Sequence, residues 1–243
     1  MFYFVIPCYN SFNRLCLSLK SIISLSFEID HKIHIFDNGS TDFDWKVWAE
    51  FEQYGVILHR FEDTVDMPIN WNRCTRFLRQ RSDLMGWYML HVGDEVTMDF
   101  PVAYANAKNL LYSSRKMFIC NSNLRKISPN IDLLQRANFP NITQIIFMGN
   151  DSPFLFSENN FPIFDLLTFA PLFESYEVSY INLQIVQRSD GIDDLGTKVR
   201  WYPSAFKSLF TSLRMNINFR SKIHLFFHLI KLGIGDFLRK NLN

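Results

Sequence analysis

Several features that would define other protein classes are missing from this sequence. No run of about eighteen apolar residues occurs, so we expect no transmembrane helix. The first residues lead directly into an apolar strand-like run, without a basic segment or a small-residue cleavage site. We therefore expect no signal peptide.

Paired cysteines and clustered histidines are also missing. The four cysteines show neither the spacing of metal ligands nor a dense disulfide pattern, so reduced thiols in a cytoplasmic protein are the simplest interpretation. The six histidines form no metal-ligand pattern. There is no internal repeat, no low-complexity linker and no nucleic-acid motif, so we expect no nucleic acid as a partner.

What the sequence does have is an ordinary globular composition with an uneven distribution of charge. A chain of 243 residues can bury a full core and fits one domain with a small appendage. From residue 203 onward there are seven lysines or arginines and one acid, a net charge of +6, and the preceding 202 residues carry −5. A basic, phenylalanine-rich tail on a slightly acidic body indicates an anionic surface as a partner.

The order of apolar runs predicts an α/β fold. Strands are predicted at residues 2–6, 32–36 and 56–60, and in the stretch 87–96 as an apolar run that ends at Gly93, with helices beginning near Asn13, Phe43 and Ile69 between them. This β-α-β-α-β-α-β order indicates an open, mostly parallel (mixed) sheet with helices on both faces. Further strands are expected near residues 117–121 and 180–182.

Three of the predicted strands end in polar turns. Residues 7–10 follow the first strand, residues 37–42 (Asp-Asn-Gly-Ser-Thr-Asp) the second, and Gly93, Asp94 and Glu95 close the fourth. Because parallel strands joined by right-handed crossovers end on one edge of the sheet, the first two turns meet at one crevice. Asp94 offers the oxygen ligand that Mg²⁺ or Mn²⁺ prefers.

These motifs resemble the family 2 glycosyltransferases of the GT-A fold. The resemblance rests on Ile-Pro-Cys-Tyr-Asn at residues 6–10, the turn at residues 37–42, Trp-Asn-Arg at residues 71–73 and Leu-His-Val-Gly-Asp-Glu at residues 90–95, in the family's order. It covers residues 2–100 well and residues 140–195 more loosely. It implies a nucleotide-sugar donor, of which a UDP-sugar is the expected one.

The resemblance also implies which residues bind the donor. Pro7, Asp37 and Asn38 would contact the base, although the family usually has a second Asp at Asn38. A carboxylate or amide that hydrogen-bonds the ring N–H at the edge of a base can distinguish that base from others. The remaining donor-binding residues carried over by position are Tyr9, Asn72, Arg73, Gly93 and Asp94.

For the metal, Asp94 matches the family's second, metal-binding Asp. The first acid of that Asp-x-Asp motif is replaced here by Val92. Glu95 either assists Asp94 or faces solvent. The expected cofactor is Mn²⁺ or Mg²⁺.

For the catalytic base, the resemblance points to Asp165, in a stretch (residues 161–167) similar to the family's Asp-Tyr-Asp-Leu. A carboxylate in the first turn of a helix is stabilised as an anion, which suits a base at neutral pH. Asp165 otherwise caps a helix, and Asp151 is the rival base.

The tail divides the chain into a predicted catalytic domain, residues 1–202, and a basic amphipathic helical tail, residues 203–243. Interleaved phenylalanines, leucines and cations are typical of helices lying at a membrane interface. The alternative is a pair of helices packed on the domain or on another subunit, which leaves a homo-oligomer open. We expect a cytoplasmic protein, peripheral on the inner face of the cell membrane.

Together these features predict an inverting transferase that moves a sugar to a hydroxyl of a lipid-diphosphate-linked saccharide in O-antigen or capsule assembly. A non-catalytic GT-A-like protein is the first alternative, supported by Val92 and Asn38. The second is a sugar-nucleotide nucleotidyltransferase. A glycine-rich, cation-bearing loop after the first strand would favour it. Residues 10–14 (Asn-Ser-Phe-Asn-Arg) provide only a weak version of that loop.

Overall fold

A computed structural model describes residues 1–25, 30–91, 95–109, 116–120, 142–149, 154–158, 164–188, 201–217 and 219–241. The chain divides into two compact units. The first comprises residues 1–124, 140–153 and 178–192, and the second comprises residues 125–139, 154–177 and 193–243. Each unit is described by itself.

The first unit is built on a seven-stranded sheet whose first half is parallel. Seven described strands form it: β1 (Phe2–Cys8), β2 (His31–Asp37), β3 (Ile57–Arg60), β4 (Gly86–Met89), β6 (Lys116–Cys120), β7 (Ile145–Met148) and β8 (Glu177–Ile181). Two more, β5 (Glu95–Thr97) and β9 (Val186–Arg188), form a separate two-stranded sheet. The order of the larger sheet is β3-β2-β1-β4-β7-β6-β8, and β1 runs parallel to both β2 and β4. Its second half is antiparallel, because β7 pairs antiparallel with β4 and β6.

Helices cover both faces of this sheet. Those of the first unit are α1 (Phe12–Ile23), α2 (Trp45–Glu52), α3 (Met67–Arg79) and α4 (Phe100–Asn109). Alternate residues of a strand point to opposite faces, and Phe4 packs on Phe100 of α4 while Tyr3 packs on Phe77 of α3. The open, mixed α/β sheet with helices on both faces that the sequence predicted is thereby confirmed.

Helix boundaries follow from local chemistry. Asp44 begins α2 by accepting hydrogen bonds from the backbone amides of Lys46 (2.9 Å) and Val47 (3.3 Å), an N-cap. Pro68 lies in the first turn of α3, where its missing amide hydrogen costs nothing. In α1, Leu15, Leu19 and Ile22 recur at helical spacing and are fully buried.

The predicted strand in the stretch 87–96 was wrong in its extent. Strand β4 ends at Met89, and Glu95 begins the separate strand β5, which pairs antiparallel with β9 in a two-stranded sheet. A continuous apolar run does not reveal where a strand leaves its sheet, and here Leu90 makes the last backbone bond to β1, from its amide to the carbonyl of Val5 (3.2 Å).

The described residues of the second unit form three helices. They are α5 (Phe164–Ser175), α6 (Trp201–Arg214) and α7 (Phe219–Asn241). Leu167 of α5 joins Ala205 of α6 and Leu225 and Leu229 of α7 in one buried cluster. The predicted boundary between residues 202 and 203 stays a prediction.

All four cysteines are buried and free, so none forms a disulfide bond. No helix in the described part of the chain is long and apolar enough to cross a membrane.

Candidate active site

The carboxyl ends of β1 and β2 form the edge on which the predicted donor site lies. In the parallel register Cys8 is opposite Asp37, and Asp37 is opposite Arg60 of β3. The backbone continues this alignment beyond the strands, because the amide of Asn38 donates to the carbonyl of Cys8 (3.0 Å) and that of Phe61 to the carbonyl of Asp37 (3.0 Å). We call the residues 7–10, 37–42 and 60–66 the strand-end edge.

Asp37 is a fully buried carboxylate held from several sides. Its Oδ1 accepts from the backbone amide (3.2 Å) and the hydroxyl of Ser40, and its Oδ2 lies 3.1 Å from Nη1 of Arg60. Burial, and then the nearby carboxylate, raise the pKa of Cys8 well above its usual range, so the thiol stays protonated 3.7 Å from Oδ1 of Asp37. Asp37 therefore fixes the turn that follows β2.

Arg60 connects this carboxylate to an open cavity. Its Nη2 donates to the carbonyl of Ser40 (2.6 Å), and its guanidinium lies over the rings of Phe43 (5.0 Å) and Trp45 (5.2 Å). The cavity has a volume of about 650 Å³. It is lined by Gly39, Ser40, Thr41, Phe43, Trp45, Arg60, Phe61 and Glu62.

Asn38 is equally well held. Its Oδ1 accepts from the amide of Val65 (3.0 Å) and from Nη1 of Arg73 (3.0 Å), while its Nδ2 donates to the carbonyl of Val65 (2.7 Å). The next residue, Gly39, has φ +76°, and a Cβ there would lie 3.1 Å from Oγ1 of Thr64. The turn thus requires glycine at position 39.

Arg73 places a positive charge beside the strand-end edge. Its Nη2 donates to both carboxylate oxygens of Asp63 at 2.9 Å, and its guanidinium stacks 3.8 Å from the centre of the Phe61 ring. With the bond to Asn38, three partners fix the orientation of this cation. Two different nitrogens hydrogen-bonded to Asn38 and Asp63, combined with stacking on a ring, make a geometry that lysine cannot reproduce.

Asn10 ties the end of β1 to the turn after β2. It adopts φ +44°, which asparagine tolerates better than most residues. Its amide donates to Oγ of Ser40 (2.9 Å), and its Oδ1 accepts from the amide of Thr41 (2.9 Å). The amide of Phe12, at the start of α1, donates to Asp42 (2.9 Å), so the two predicted turns do meet.

The structure brings together some of the predicted site residues. Pro7 is buried at the end of β1, Tyr9 follows it about half exposed, and Asn72 is buried on α3 next to Arg73. Asp37, Asn38 and Arg73 meet at the strand-end edge. Their predicted contacts with a base stay predictions.

Other predicted residues lie elsewhere. Gly93, Asp94 and Asp151 lie outside the described residues. Glu95 begins β5, where its Cα is opposite that of Arg188. Asp165 is the second residue of the described helix α5. Its role as base stays a prediction.

Sequence reasoning placed Ser40 and Asn10 in the two turns but missed Arg60 as part of this edge. The sequence did contain a signal for Arg60. Asp37 and Arg60 each end a predicted strand, and parallel pairing of these two strands predicts an ion pair between them. Asn70 was also missed. It is buried, and its Nδ2 donates to the carbonyl of Phe36 (3.2 Å).

The chemistry of the donor set fits a hard divalent cation. Asp94 and Glu95 are adjacent carboxylates, the ligand type that Mn²⁺ and Mg²⁺ share. Within the described ranges, no group of three acids, histidines or cysteines converges elsewhere to offer a competing metal site.

The fold is that of the GT-A-type glycosyltransferases, which confirms the resemblance at the level of architecture. One similar structure is Staphylococcus aureus TarS 1-349 in complex with UDP-GlcNAc, with a TM-score of 0.68 and 13% identity over 99% of this chain and 74% of that chain. At the level of sequence, no protein-family model and no curated protein matches.

Two further similar structures contain Mn²⁺. The mannosyltransferase PcManGT from Pyrobaculum calidifontis, in complex with GDP-Man and Mn²⁺, has a TM-score of 0.62 and 11% identity, over 97% of this chain and 70% of that one. Glucosyl-3-phosphoglycerate synthase from Mycobacterium tuberculosis, with Mn²⁺, UDP and glucosyl-3-phosphoglycerate, has a TM-score of 0.57 and 11% identity, over 90% of this chain and 81% of that one.

Proposed function

We propose that this chain is a metal-dependent glycosyltransferase that moves a sugar from a nucleotide sugar to a hydroxyl of a glycan acceptor. The observation that carries the proposal is the strand-end edge, built at the carboxyl ends of parallel strands, where open α/β sheets bind ligands. It is supported by structures of the same fold solved with UDP-GlcNAc, GDP-Man and UDP. The donor we favour is a UDP-sugar.

In this proposal the strand-end edge holds the nucleotide. Pro7 and Tyr9, together with the turn at residues 37–42, would bind the base and ribose, and the fixed turn would leave little to reorganise on binding. Arg73, oriented by Asp63 and Phe61, would supply positive charge near the diphosphate. Gly93 would allow the backbone to approach it, and Asn72 would support Arg73 from the same helix.

Asp94, assisted by Glu95, would hold Mn²⁺ or Mg²⁺. The metal, when bound, neutralises charge on the departing diphosphate. The acceptor oxygen would attack the anomeric carbon as the bond from that carbon to the phosphate oxygen breaks, with inversion. Asp165, or its rival Asp151, would take the proton of the acceptor hydroxyl. The acceptor class we favour is a lipid-diphosphate-linked saccharide in surface polysaccharide (O-antigen or capsule) assembly.

The test is a panel of UDP-, GDP- and dTDP-sugars, with Mn²⁺ present or chelated and a GlcNAc- or GalNAc-diphosphate-lipid analogue as acceptor. We expect one UDP-sugar to be consumed only with metal. Asp94→Ala and Asp165→Asn should each lower kcat by about 10²-fold or more, whereas Glu50→Ala, an exposed acid on α2, should not. If Asp165→Asn keeps full activity and Asp151→Asn loses it, the base is Asp151.

A non-catalytic GT-A-like protein is the second candidate. It is favoured by the protein partners that already surround the side chains of Asp37 and Asn38. Calorimetry of UDP with and without Mn²⁺ separates the two. Metal-dependent UDP binding that Asp94→Ala abolishes supports the transferase, and the absence of nucleotide binding with metal present contradicts it.

A further inference from the structure

Helix α6 buries its small side chains and exposes its large apolar ones. Ala205, Ser208 and Ser212 are buried at i, i+3 and i+7. On the opposite side Phe206, Phe210 (72% exposed) and Leu213 recur at i, i+4 and i+7. A helix that packs only on its own protein has the reverse arrangement.

Helix α7 buries two leucines and a glycine, and it also exposes large apolar side chains. Leu225, Leu229 and Gly233 are buried, one turn apart along one face. A Cβ at Gly233 would lie 3.2 Å from the ring of Phe206 and 3.5 Å from Cβ of Ala205, so α6 and α7 pack closely at small residues. The opposite face of α7 carries exposed Phe219, Ile223, Phe227 and Ile234.

We call the outward residues of both helices the α6–α7 apolar stripe. It consists of Phe210, Leu213, Phe219, Ile223, Phe227 and Ile234. Contiguous exposed apolar surface of this kind marks an interaction site. The ring of Phe206 lies at the α6–α7 contact beside Gly233, whereas Phe210, Phe219 and Phe227 are each well over half exposed and are available for a different partner.

The charges around the stripe indicate which partner fits. Lys207 and Arg214 on α6 and Lys231 on α7 are exposed. The segment from residue 203 onward has a net charge of +6. Two copies joined through their stripes would bring these two positive segments together, whereas anionic phospholipid headgroups complement them.

We propose that the α6–α7 apolar stripe docks on the surface of a bilayer that contains anionic phospholipid. The phenylalanines would enter the headgroup and acyl boundary, and the cations would contact the headgroups. In this proposal α6 and α7 lie along the membrane surface. The proposal does not depend on the transferase activity.

The experiment is flotation of the full chain with vesicles of phosphatidylcholine alone or mixed with phosphatidylglycerol. We expect binding to the mixed vesicles, weakened at least about tenfold on the neutral ones and weakened by salt. The double variant Phe210→Ser/Phe227→Ser should lose at least about tenfold in affinity. The matched control is Leu17→Ser/Tyr54→Ser, whose residues are 53% and 66% exposed on the first unit and should bind as the unmodified chain does.

A second pair of variants tests the charges. Lys207→Gln/Lys231→Gln should weaken binding to the mixed vesicles, whereas Lys46→Gln, an exposed lysine on α2, should not. The proposal is overturned if the chain fails to float with either vesicle, or if the phenylalanine variants float as well as the control. It is also overturned if light scattering finds a dimer that Phe210→Ser/Phe227→Ser dissociates, because the stripe would then join two copies.

Discussion

At the strand-end edge polar side chains face inward, whereas on α6 and α7 large apolar side chains face outward. Asp37 is buried and ion-paired with Arg60, and buried Asn38 is hydrogen-bonded to Val65 and Arg73. Phe210 of α6 and Phe227 of α7 are exposed, and we call this pair of helices the hairpin. In both places the side chains stand opposite to the usual distribution of polar and apolar residues.

The energetic reason for burial differs between the two regions. Burying Asp37 is tolerable only because Arg60 and Ser40 replace its water, so the edge depends on each of these partners. The hairpin depends on the small size of Ala205, Ser212 and Gly233, and its exposed phenylalanines contribute little to folding. Removing a buried polar side chain should therefore lower the stability of the edge. In the hairpin, enlarging a small buried residue should lower stability, whereas truncating an exposed phenylalanine should not.

The largest effect is expected from a single methyl group at Gly86. A Cβ there would lie 2.7 Å from Sδ of Met148 and 2.9 Å from the carbonyl oxygen of Phe147, so β4 and β7 would have to separate. We expect Gly86→Ala to lower the free energy of unfolding by about 3 kcal/mol in urea denaturation. Gly235→Ala, where nothing lies within 4 Å on exposed α7, should raise it by about 0.5–1 kcal/mol. Equal effects at both glycines would contradict this difference.

The next effect concerns the ion pair at the edge. Asp37→Ala leaves the Arg60 guanidinium, 33% exposed, without its buried partner. We expect a loss of about 2–3 kcal/mol in urea denaturation, below the range for fully buried pairs because Arg60 reaches solvent. Asp63→Ala removes the 68% exposed partner of Arg73 and should cost less than about 1 kcal/mol. A larger loss for Asp63→Ala would show that burial does not decide the outcome.

On α6, a substitution at a small buried residue should lower stability more than truncation of a large exposed one. Ser212→Leu adds bulk to a fully buried position and should lower stability by about 2 kcal/mol. Phe210→Ser, on the exposed side of the same helix, should change it by less than about 0.5 kcal/mol. Thermal unfolding of both variants checks this, and a costly Phe210→Ser would mean that the stripe packs on the protein itself.

The smallest effect is a pH dependence of the sheet. His34 and His59 share a hydrogen bond of 2.9 Å between Nδ1 and Nε2, and burial, then His59 and Arg81, lower the pKa of His34 to about 4. Since the ordinary value of 6.5 is higher, unfolding takes up protons, and stability present above pH 6.5 is lost as the pH falls toward 4. We expect a loss of about 1 kcal/mol at pH 5 after solvent screening.

Urea denaturation of the unmodified chain and of His34→Phe across this range measures the contribution. The variant should show a shallower decline in stability between pH 6.5 and 4.5, because it has no proton to take up at position 34. An unchanged decline would assign the pH dependence to other groups.

Local patterns in the sequence predicted most of the first unit. Apolar runs separated by polar turns gave the order of strands and helices through α3, and the turn at residues 37–42 lies where β2 ends. The burial of Asp37 was not predictable from its own neighbours, because it depends on Arg60 of β3 arriving in register. The end of β4 at Met89 depends equally on pairing rather than on composition.

The hairpin was predicted less completely. Its amphipathic periodicity was visible in the sequence, but the face that turns inward was not. Serine and alanine fill little space, so they mark a buried helix face only when a second helix comes very close. That approach depends on Gly233, which lies about two turns from the nearest helix end and carries no local signal. Small residues one turn apart were the available clue.

The central position of β1 has a consequence for synthesis. It precedes both strands that flank it, β2 at residues 31–37 and β4 at residues 86–89. While a ribosome is still adding the residues between them, β1 can pair on one side only. Until β4 emerges, the other edge of β1, an apolar strand that carries Phe2 and Phe4, has no partner strand. An unpaired apolar strand is a template for association with other chains. Chains interrupted between β3 and β4 should therefore be the ones that chaperones retain.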